Sequence, residues 1–260
     1  MGDDTSADTD RVVGADRVLA VLAELAEHPE GITLDQMAQQ LRGAKSTVHR
    51  ALAALRRAGF AELQSRGVYV LGDEFLRLAF RNQAGRPESA RIEPVLKELV
   101  DKYGETAHFA VLEGVEVVYR AKVDPPGGAV RLTSEVGGRN PAYRTGVGKM
   151  LLSAEVESEK ELEKRLGTAT LPSRTEHTIT SVAALWRELE RTKRRGYAVD
   201  DQENEMGVNC IAVPVRRSPD LRPIGAVSIS ALAFRTPLER LEADAAEITA
   251  IVDKRLGAMT

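Results

Sequence analysis

The sequence predicts an α+β protein in two parts: an N-terminal module of helices closed by a hairpin, and a C-terminal domain with a central, mostly antiparallel sheet flanked by helices. Three observations predict it. Helical hydrophobic spacing runs through residues 16–58. Residues 60–72 switch to two short alternating runs about a glycine-containing turn. Beyond the helix-breaking stretch AGRPESA, β-rich runs alternate with amphipathic helices. A chain of 260 residues has room for one large domain or two smaller ones, and the boundary is placed at Ala84–Pro87.

In chain order, the first helix is DRVLAVLAELAEH, with Val18, Leu19, Val21, Leu22 and Leu25 at helical spacing, Asp16 placed to cap it, and Pro29 and Gly31 ending it. Thr33 caps LDQMAQQL, with Gln36 at the capping-box position and Leu34, Met37, Ala38 and Leu41 facing inward. The short turn RGA leads to KSTVHRALAALRRAGF, stopped by Gly59. FAEL and VYVLG then form a hairpin with Arg66 and Gly67 at its tip, and DEFLRLAFRNQ is helical again, with Phe75, Leu78 and Ala79 on one face.

The second part opens with the helix RIEPVLKELVDKYG, followed by two strands about a Glu113–Gly114 turn. AVRLTSEVGG is a further strand candidate, TGVGKMLLSA a glycine turn opening a short helix, and SVAALWRELERTKRRG a long helix. GVNCIAVPV and IGAVSISALAF are strands, and one last helix covers LERLEADAAEITAIVDKRL.

Composition excludes several classes. The net charge of −3 rules out a protein that is basic throughout, but only the local patch matters to a nucleic-acid groove. Cys210 is the single cysteine, so there is no internal disulfide framework, which fits a cytoplasmic protein. No apolar run reaches the ~18 residues of a membrane span. MGDDTSADTD is acidic and polar, unlike a signal peptide, and is expected to be a disordered tail over residues 1–10.

Within the third helix, Val48, Ala51, Leu52 and Leu55 share one side, while Ser46, Arg50 and Arg57 lie opposite, with Thr47, His49 and Arg56 on the flanks. From Arg42 to Arg66 there are six basic residues and one acid, a strongly cationic stretch in an acidic protein. A solvated basic face is the plain alternative. A capped helix, a tight turn, a basic helix and a hairpin in that order make the arrangement of a winged helix-turn-helix, whose second helix enters the major groove of DNA. Lys45, Ser46 and Thr47 suit phosphates, His49 and Arg50 can reach base edges, Arg57 extends the cationic face, and Arg66 at the wing tip can touch backbone or minor groove.

In the second part, YRTGVGKM fails the phosphate-loop template, because Met150 stands where Ser or Thr must follow the Lys. Gly146 and Gly148 at a helix start still expose amides that favour a small anion such as a carboxylate. Ser228 and Ser230 alternate along VSIS and so face one side of their strand. Cys210 sits in an apolar strand, where a lone cysteine is ordinarily packing; His108 and His177 are candidate bases only by existing, and no Cys/His spacing fits a metal. DDQENE reads as a solvated loop for Asp201 and Glu203.

LDQMAQQLRGAKSTVHRALAALRRAGF…YVLG, with ETAHFAVLEG, YRTGVGKMLLS and RRGYAVDDQENEMGVNCIAVPV in order behind it, resembles the IclR family of bacterial transcription regulators over roughly residues 12–256. The RGA turn departs from the family's usual apolar or small residue before Lys-Ser-Thr. The resemblance implies a winged helix-turn-helix at 11–72, a linker helix at 73–87 whose apolar face packs on a partner subunit, and a GAF-like effector-binding and oligomerisation domain at 88–260. It also implies homodimers or homotetramers on palindromic operator DNA, a small organic acid as effector, aliphatic or aromatic, and no cofactor or metal. Gly146 and Val147 become amide donors to the effector carboxylate, with Asp200, Cys210, Ser228 and Ser230 in the same pocket, and Arg144, Met150 and Leu132 shaping it. An ionised Asp200 would repel a carboxylate, so it must touch another part of the ligand, bond through a proton or water, or orient its loop. Two readings compete: a hydrolytic enzyme using Cys210 with an accessory helix-turn-helix, and a constitutive DNA-binding structural protein without an effector.

Overall fold

The computed structural model describes residues 9–84, 87–127, 132–216, 218 and 221–256. It divides into two compact units, Met1–Arg86 and Pro87–Thr260.

In the first unit α1 (Thr9–Ala26), α2 (Leu34–Gln40) and α3 (Lys45–Arg57) pack beside a small antiparallel sheet ordered β1 (Ile32–Thr33), β3 (Val68–Leu71), β2 (Ala61–Leu63), and α4 (Asp73–Ala84) ends it. Val21, Leu25, Met37, Val48, Leu52, Leu55 and Tyr69 form the core. The capping box at α2 is present: Thr33 Oγ1 accepts from the Gln36 amide and Gln36 Oε1 accepts from the Thr33 amide. Three expectations change. Residues 9 and 10 are helical, while residues 1–8 of the expected tail lie outside the described residues. Asp16 is inside α1, since nothing from Arg11 to Ala15 breaks a helix except Gly14, a cost of only about 1 kcal/mol. Leu19 is 63% exposed, because Val18, Val21, Leu22 and Leu25 already complete the inward stripe. On α4, Leu76, Leu78 and Phe80 are exposed in the single chain.

The second unit is built on a six-stranded sheet in the order β6-β5-β4-β9-β8-β7, antiparallel at every pairing. Its strands are β4 (Thr106–Glu113), β5 (Glu116–Val123), β6 (Arg139–Pro141), β7 (Ala198–Asp201), β8 (Val208–Val215) and β9 (Gly225–Leu232). The period of two gives each face its own chemistry. Phe109, Ile211, Val213, Val227 and Ile229 pack against α5 (Pro87–Tyr103), α9 (Leu238–Ala243) and α10 (Ala245–Leu256). On the other face small residues, Ala110, Ala198, Ala212 and Ala226, let α6 (Gly146–Glu155) and α8 (Val182–Arg195) lie close. A charged surface helix, α7 (Glu159–Leu166), buries only Leu162 among its residues.

Several boundaries shift. The β4–β5 loop is Gly114–Val115, since Glu113 and Glu116 pair. Of the strand expected at AVRLTSEVGG, residues 129–131 lie outside the described residues and 132–138 are not strand; a turn at Gly137 and Gly138 feeds β6 instead. The last helix is two helices, α9 and α10, parted at Asp244.

Candidate functional site

Two sets of polar residues stand out, one in each unit. On α3 the inward set Val48, Ala51, Leu52 and Leu55 is buried, which turns Lys45, Ser46, His49, Arg50, Arg56 and Arg57 to solvent, while Thr47 is half-buried. Lys45, Ser46, His49 and Arg50 line a shallow depression with Leu34 of α2, and Arg57 stands two turns beyond Arg50 on the same face. The N-cap is Ala44, which offers no side-chain acceptor, so the first-turn amides of Lys45 and Ser46 are left for an outside acceptor. Lys45 pairs with Asp35 at 2.9 Å, but both side chains are exposed and such a pair contributes only about 0–1 kcal/mol. At the tip of the β2–β3 hairpin Arg66 has φ 65° and is exposed, with Gly67 following at φ 77°.

The second set lines a cavity of about 260 Å³ on the α6 side of the large sheet. Gly146, Val147, Asp200, Cys210, Ser228 and Ser230 all line it, as do Leu132 and Arg144; Met150 does not. The register explains the gathering. Asp200, Cys210, Ser230 and Thr106 are successive cross-strand partners, and so are Ala212, Ser228, His108 and Lys122 in the next row. Directly opposed residues share a face, so the two rows make a polar floor.

α6 forms one wall. Thr145 caps it, its Oγ1 accepting from the Gly148 amide at 3.1 Å, and the Lys149 amide bonds to the Thr145 carbonyl. Among the described residues the amides of Gly146 and Val147 have no such partner. The two glycines have different jobs: a Cβ on Gly148 would lie 2.2 Å from the Ala142 carbonyl oxygen, so Gly148 serves packing, whereas a Cβ on Gly146 would lie 3.2 Å from Cys210 Sγ, at the cavity.

The loop after β7 forms another wall. Asp200 Oδ1 accepts from the amides of Glu203 and Asn204 at 2.7 and 3.3 Å, and Arg144 Nε donates to Asn204 Oδ1 at 2.9 Å. Behind it Lys149, fully buried, forms an ion pair with Glu203. This corrects the solvated reading of Glu203: a lysine buried by α6 needs a counter-charge, and Glu203 is drawn in to supply it, whereas Asp201 stays exposed. Burial pushes the Asp200 carboxyl up to about 7, opposed by Lys149 and reinforced by Glu203.

Sequence reasoning left His108 without a role and missed Tyr119, Ser134, Asn140 and Arg174, which also line the cavity. His108 Nε2 lies 2.8 Å from Ser134 Oγ and Nδ1 3.4 Å from Ser228 Oγ, and its ring tilts on Tyr119 at 5.2 Å. Burial and then the Lys122 charge bring the imidazole down to about 3, so it is neutral. Cys210 is pushed up to about 12, by burial and then by Asp200, so it is a thiol and no nucleophile. His177 is exposed and is not among the lining residues. Among the described residues no three His, Cys, Asp or Glu side chains are grouped as metal ligands, and no helix is long and apolar enough to cross a membrane.

Residues 14–65 match the IclR helix-turn-helix domain and residues 89–254 the domain described as bacterial transcriptional regulator IclR C-terminal. The chain belongs to the IclR family. It is 32% identical to the transcriptional regulator KdgR of Escherichia coli, over 92% of this chain and 89% of KdgR. It is 29% identical to the Pca regulon regulatory protein of Pseudomonas putida, over 91% of this chain and 80% of that protein. The crystal structure of Thermotoga maritima IclR superposes with a TM-score of 0.72 at 27% identity, covering 94% of this chain and 98% of that one. An IclR homolog from Microbacterium hydrocarbonoxydans, solved in complex with 4-hydroxybenzoate, shares the fold with a TM-score of 0.76 at 24% identity, covering 93% and 99%. This IclR-family chain is a transcription regulator with a helix-turn-helix DNA-binding domain and a ligand-responsive C-terminal domain, and its curated relatives are named as regulators and repressors, not enzymes.

Proposed function

We propose that this regulator binds a palindromic operator through Lys45, Ser46, Thr47, His49, Arg50, Arg57 and Arg66, and that a small organic acid in the C-terminal cavity changes its operator affinity. The observation that carries the effector half is the pair of uncapped amides, Gly146 and Val147, lining a cavity floored by Ser228, Ser230 and Cys210. Helix-start amides favour an anion, and a carboxylate is the anion of that size. Asp200 is a tolerable neighbour because its pKa near 7 lets it hold a proton beside a bound carboxylate. The Microbacterium homolog, which is like this chain only in fold, holds one such acid.

The DNA half rests on exposed cations and free first-turn amides on one face of α3; we assign Arg50 to a base edge and Lys45 to a phosphate. Palindromic sites call for two heads, so the working form is a homodimer or homotetramer, acting in the cytoplasm; exposed Leu76 and Phe80, one turn apart on α4, are the face we assign to a partner subunit.

A melting-temperature screen of the purified chain against carboxylic acids tests the effector half, because a ligand of the native state raises the transition by mass action. Acids that raise it are then tested for release or capture of DNA from the gene's own upstream region. A cavity that no acid stabilises would leave the constitutive DNA-binding reading in its place.

A further inference from the structure

Helices α2 and α3 end in the same way. In each, the amide two places beyond the C-cap reaches back to a carbonyl of the last turn, Gly43 to Ala38 and Phe60 to Leu55, and the residue before that amide has a left-handed backbone. After α3 that residue is Gly59, at φ 78°, the residue type such an end favours. After α2 it is Arg42, at φ 47°, a conformation that the Cβ of an arginine disfavours. The chain does hold a glycine one place later. Gly43 has no left-handed φ, and a Cβ on it would lie 2.5 Å from Arg17 Nη1. Glycine is therefore used where Arg17 of α1 crosses the turn, and arginine stands where the backbone calls for glycine.

The wing tip repeats the choice. Among the described residues three that are not glycine have a left-handed φ, and two of them are arginines of the DNA-binding unit, Arg42 before α3 and Arg66 after it. Both are exposed. Arg17 and Lys45 add two cations beside Arg42, and of these three only Lys45 has an ion-pair partner among the described residues, the exposed Asp35. Asp16, which lines a shallow depression with Arg17 and Leu41, is the other acid at this end. Like charges gathered at a turn repel one another until an anion comes between them.

In a helix-turn-helix the first helix crosses the DNA backbone and the second lies in the major groove, so the turn joining them passes the edge of the groove. Arg42 stands three residues before Lys45, within about 10 Å of the start of α3. Phosphate is the anion at that edge, and a guanidinium holds a phosphate through two parallel hydrogen bonds.

We infer that Arg42 is a DNA-backbone contact of this regulator, a phosphate-binding residue of the α2–α3 turn that adds to the set on α3 and the wing. The inference rests on α3 entering the major groove and extends the interface to the turn before it.

Arg42→Gly tests it, because fold and DNA binding should respond with opposite signs. Glycine adopts a left-handed φ freely, so the melting temperature should stay level or rise. Affinity, read by fluorescence anisotropy on a random-sequence duplex and on DNA of the gene's own upstream region, should fall by a similar factor on both, because a phosphate carries no sequence. The slope of log affinity against log salt should become shallower by about one, so the advantage of the wild type shrinks about threefold between roughly 50 and 200 mM salt. Arg42→Lys, which keeps the charge, should keep the slope. An affinity and slope unchanged in Arg42→Gly would overturn the inference. A lower melting temperature accompanying the weaker binding would overturn it too, and would make Arg42 a cation serving the C-terminal dipole of α2. A loss confined to the upstream DNA would make it a base contact instead. Arg50→Ala, measured alongside, separates the two readings: if it also leaves both duplexes bound as before, the α3 reading falls with this one.

Discussion

The α3 surface and the C-terminal cavity handle polar groups in opposite ways. On α3 the cations are exposed, come from one continuous segment, and meet water until something displaces it. In the cavity the polar groups of the floor, His108, Asp200, Ser228 and Ser230, are buried, come one or two at a time from β4, β7 and β9, and are held by hydrogen bonds within the domain before any ligand arrives. The difference teaches where energy is at stake. A surface charge on α3 matters to the partner and little to folding. A buried charge beside the cavity matters to folding first, because leaving it unpaired is expensive.

The largest effect should therefore come from the ion pair behind the cavity. Lys149→Met or Glu203→Leu alone should destabilise the chain by about 3–5 kcal/mol, and the double variant should recover most of the loss. Urea unfolding of the three variants checks it; additive losses would mean that the pair is not a unit. Next comes Arg50→Ala, which should weaken operator binding by about 1–3 kcal/mol and relax preference at one base pair, without lowering the melting temperature. Equal losses on operator and random DNA would make Arg50 a phosphate contact.

The reason the two regions were unequally legible lies in the same contrast. Val48, Ala51, Leu52 and Leu55 are set by spacing within one helix, so the outward cations followed from the sequence with no knowledge of the rest. Leu19 was misread because two overlapping apolar stripes exist on α1 and only packing chooses between them. Glu203 looked like one more acid in DDQENE, because its burial is decided by a lysine far upstream on α6. Placing Asp200 with Cys210 and Ser230 came from the family resemblance; the physical cause is strand register, which no local pattern encodes. His108 and Ser134 carry no motif at all, and α7 is so charged that its single buried leucine gives little periodic signal.

A smaller effect sharpens the comparison through pH. Asp200 titrates near 7 when folded and at 3.8 in its ordinary state. A carboxyl raised in this way adds stability that is complete below about 4 and is lost as pH rises through 7, because the folded chain holds a proton the unfolded chain has released. Ionised Asp200 also repels a bound carboxylate, so acid affinity should fall as pH goes from 6 to 8, by at most about tenfold per unit for one linked proton. Asp200→Asn, which keeps an acceptor at Oδ1, should flatten that part of both profiles; calorimetry across the range reads the first and thermal melts the second. Smallest of all, Lys45→Ala should leave folding unchanged and lower the salt-dependence slope of DNA binding by about one.

The central claim is that the cavity and α3 are coupled through one equilibrium, and the most direct test is a DNA titration. Operator affinity is measured by fluorescence anisotropy with and without a saturating acid from the screen, for the wild type and for Ser228→Ala/Ser230→Ala. The account predicts a shift of roughly 5–150-fold in the wild type and none in the double variant. An acid that binds yet leaves operator affinity unchanged, or shifts both proteins alike, would contradict it.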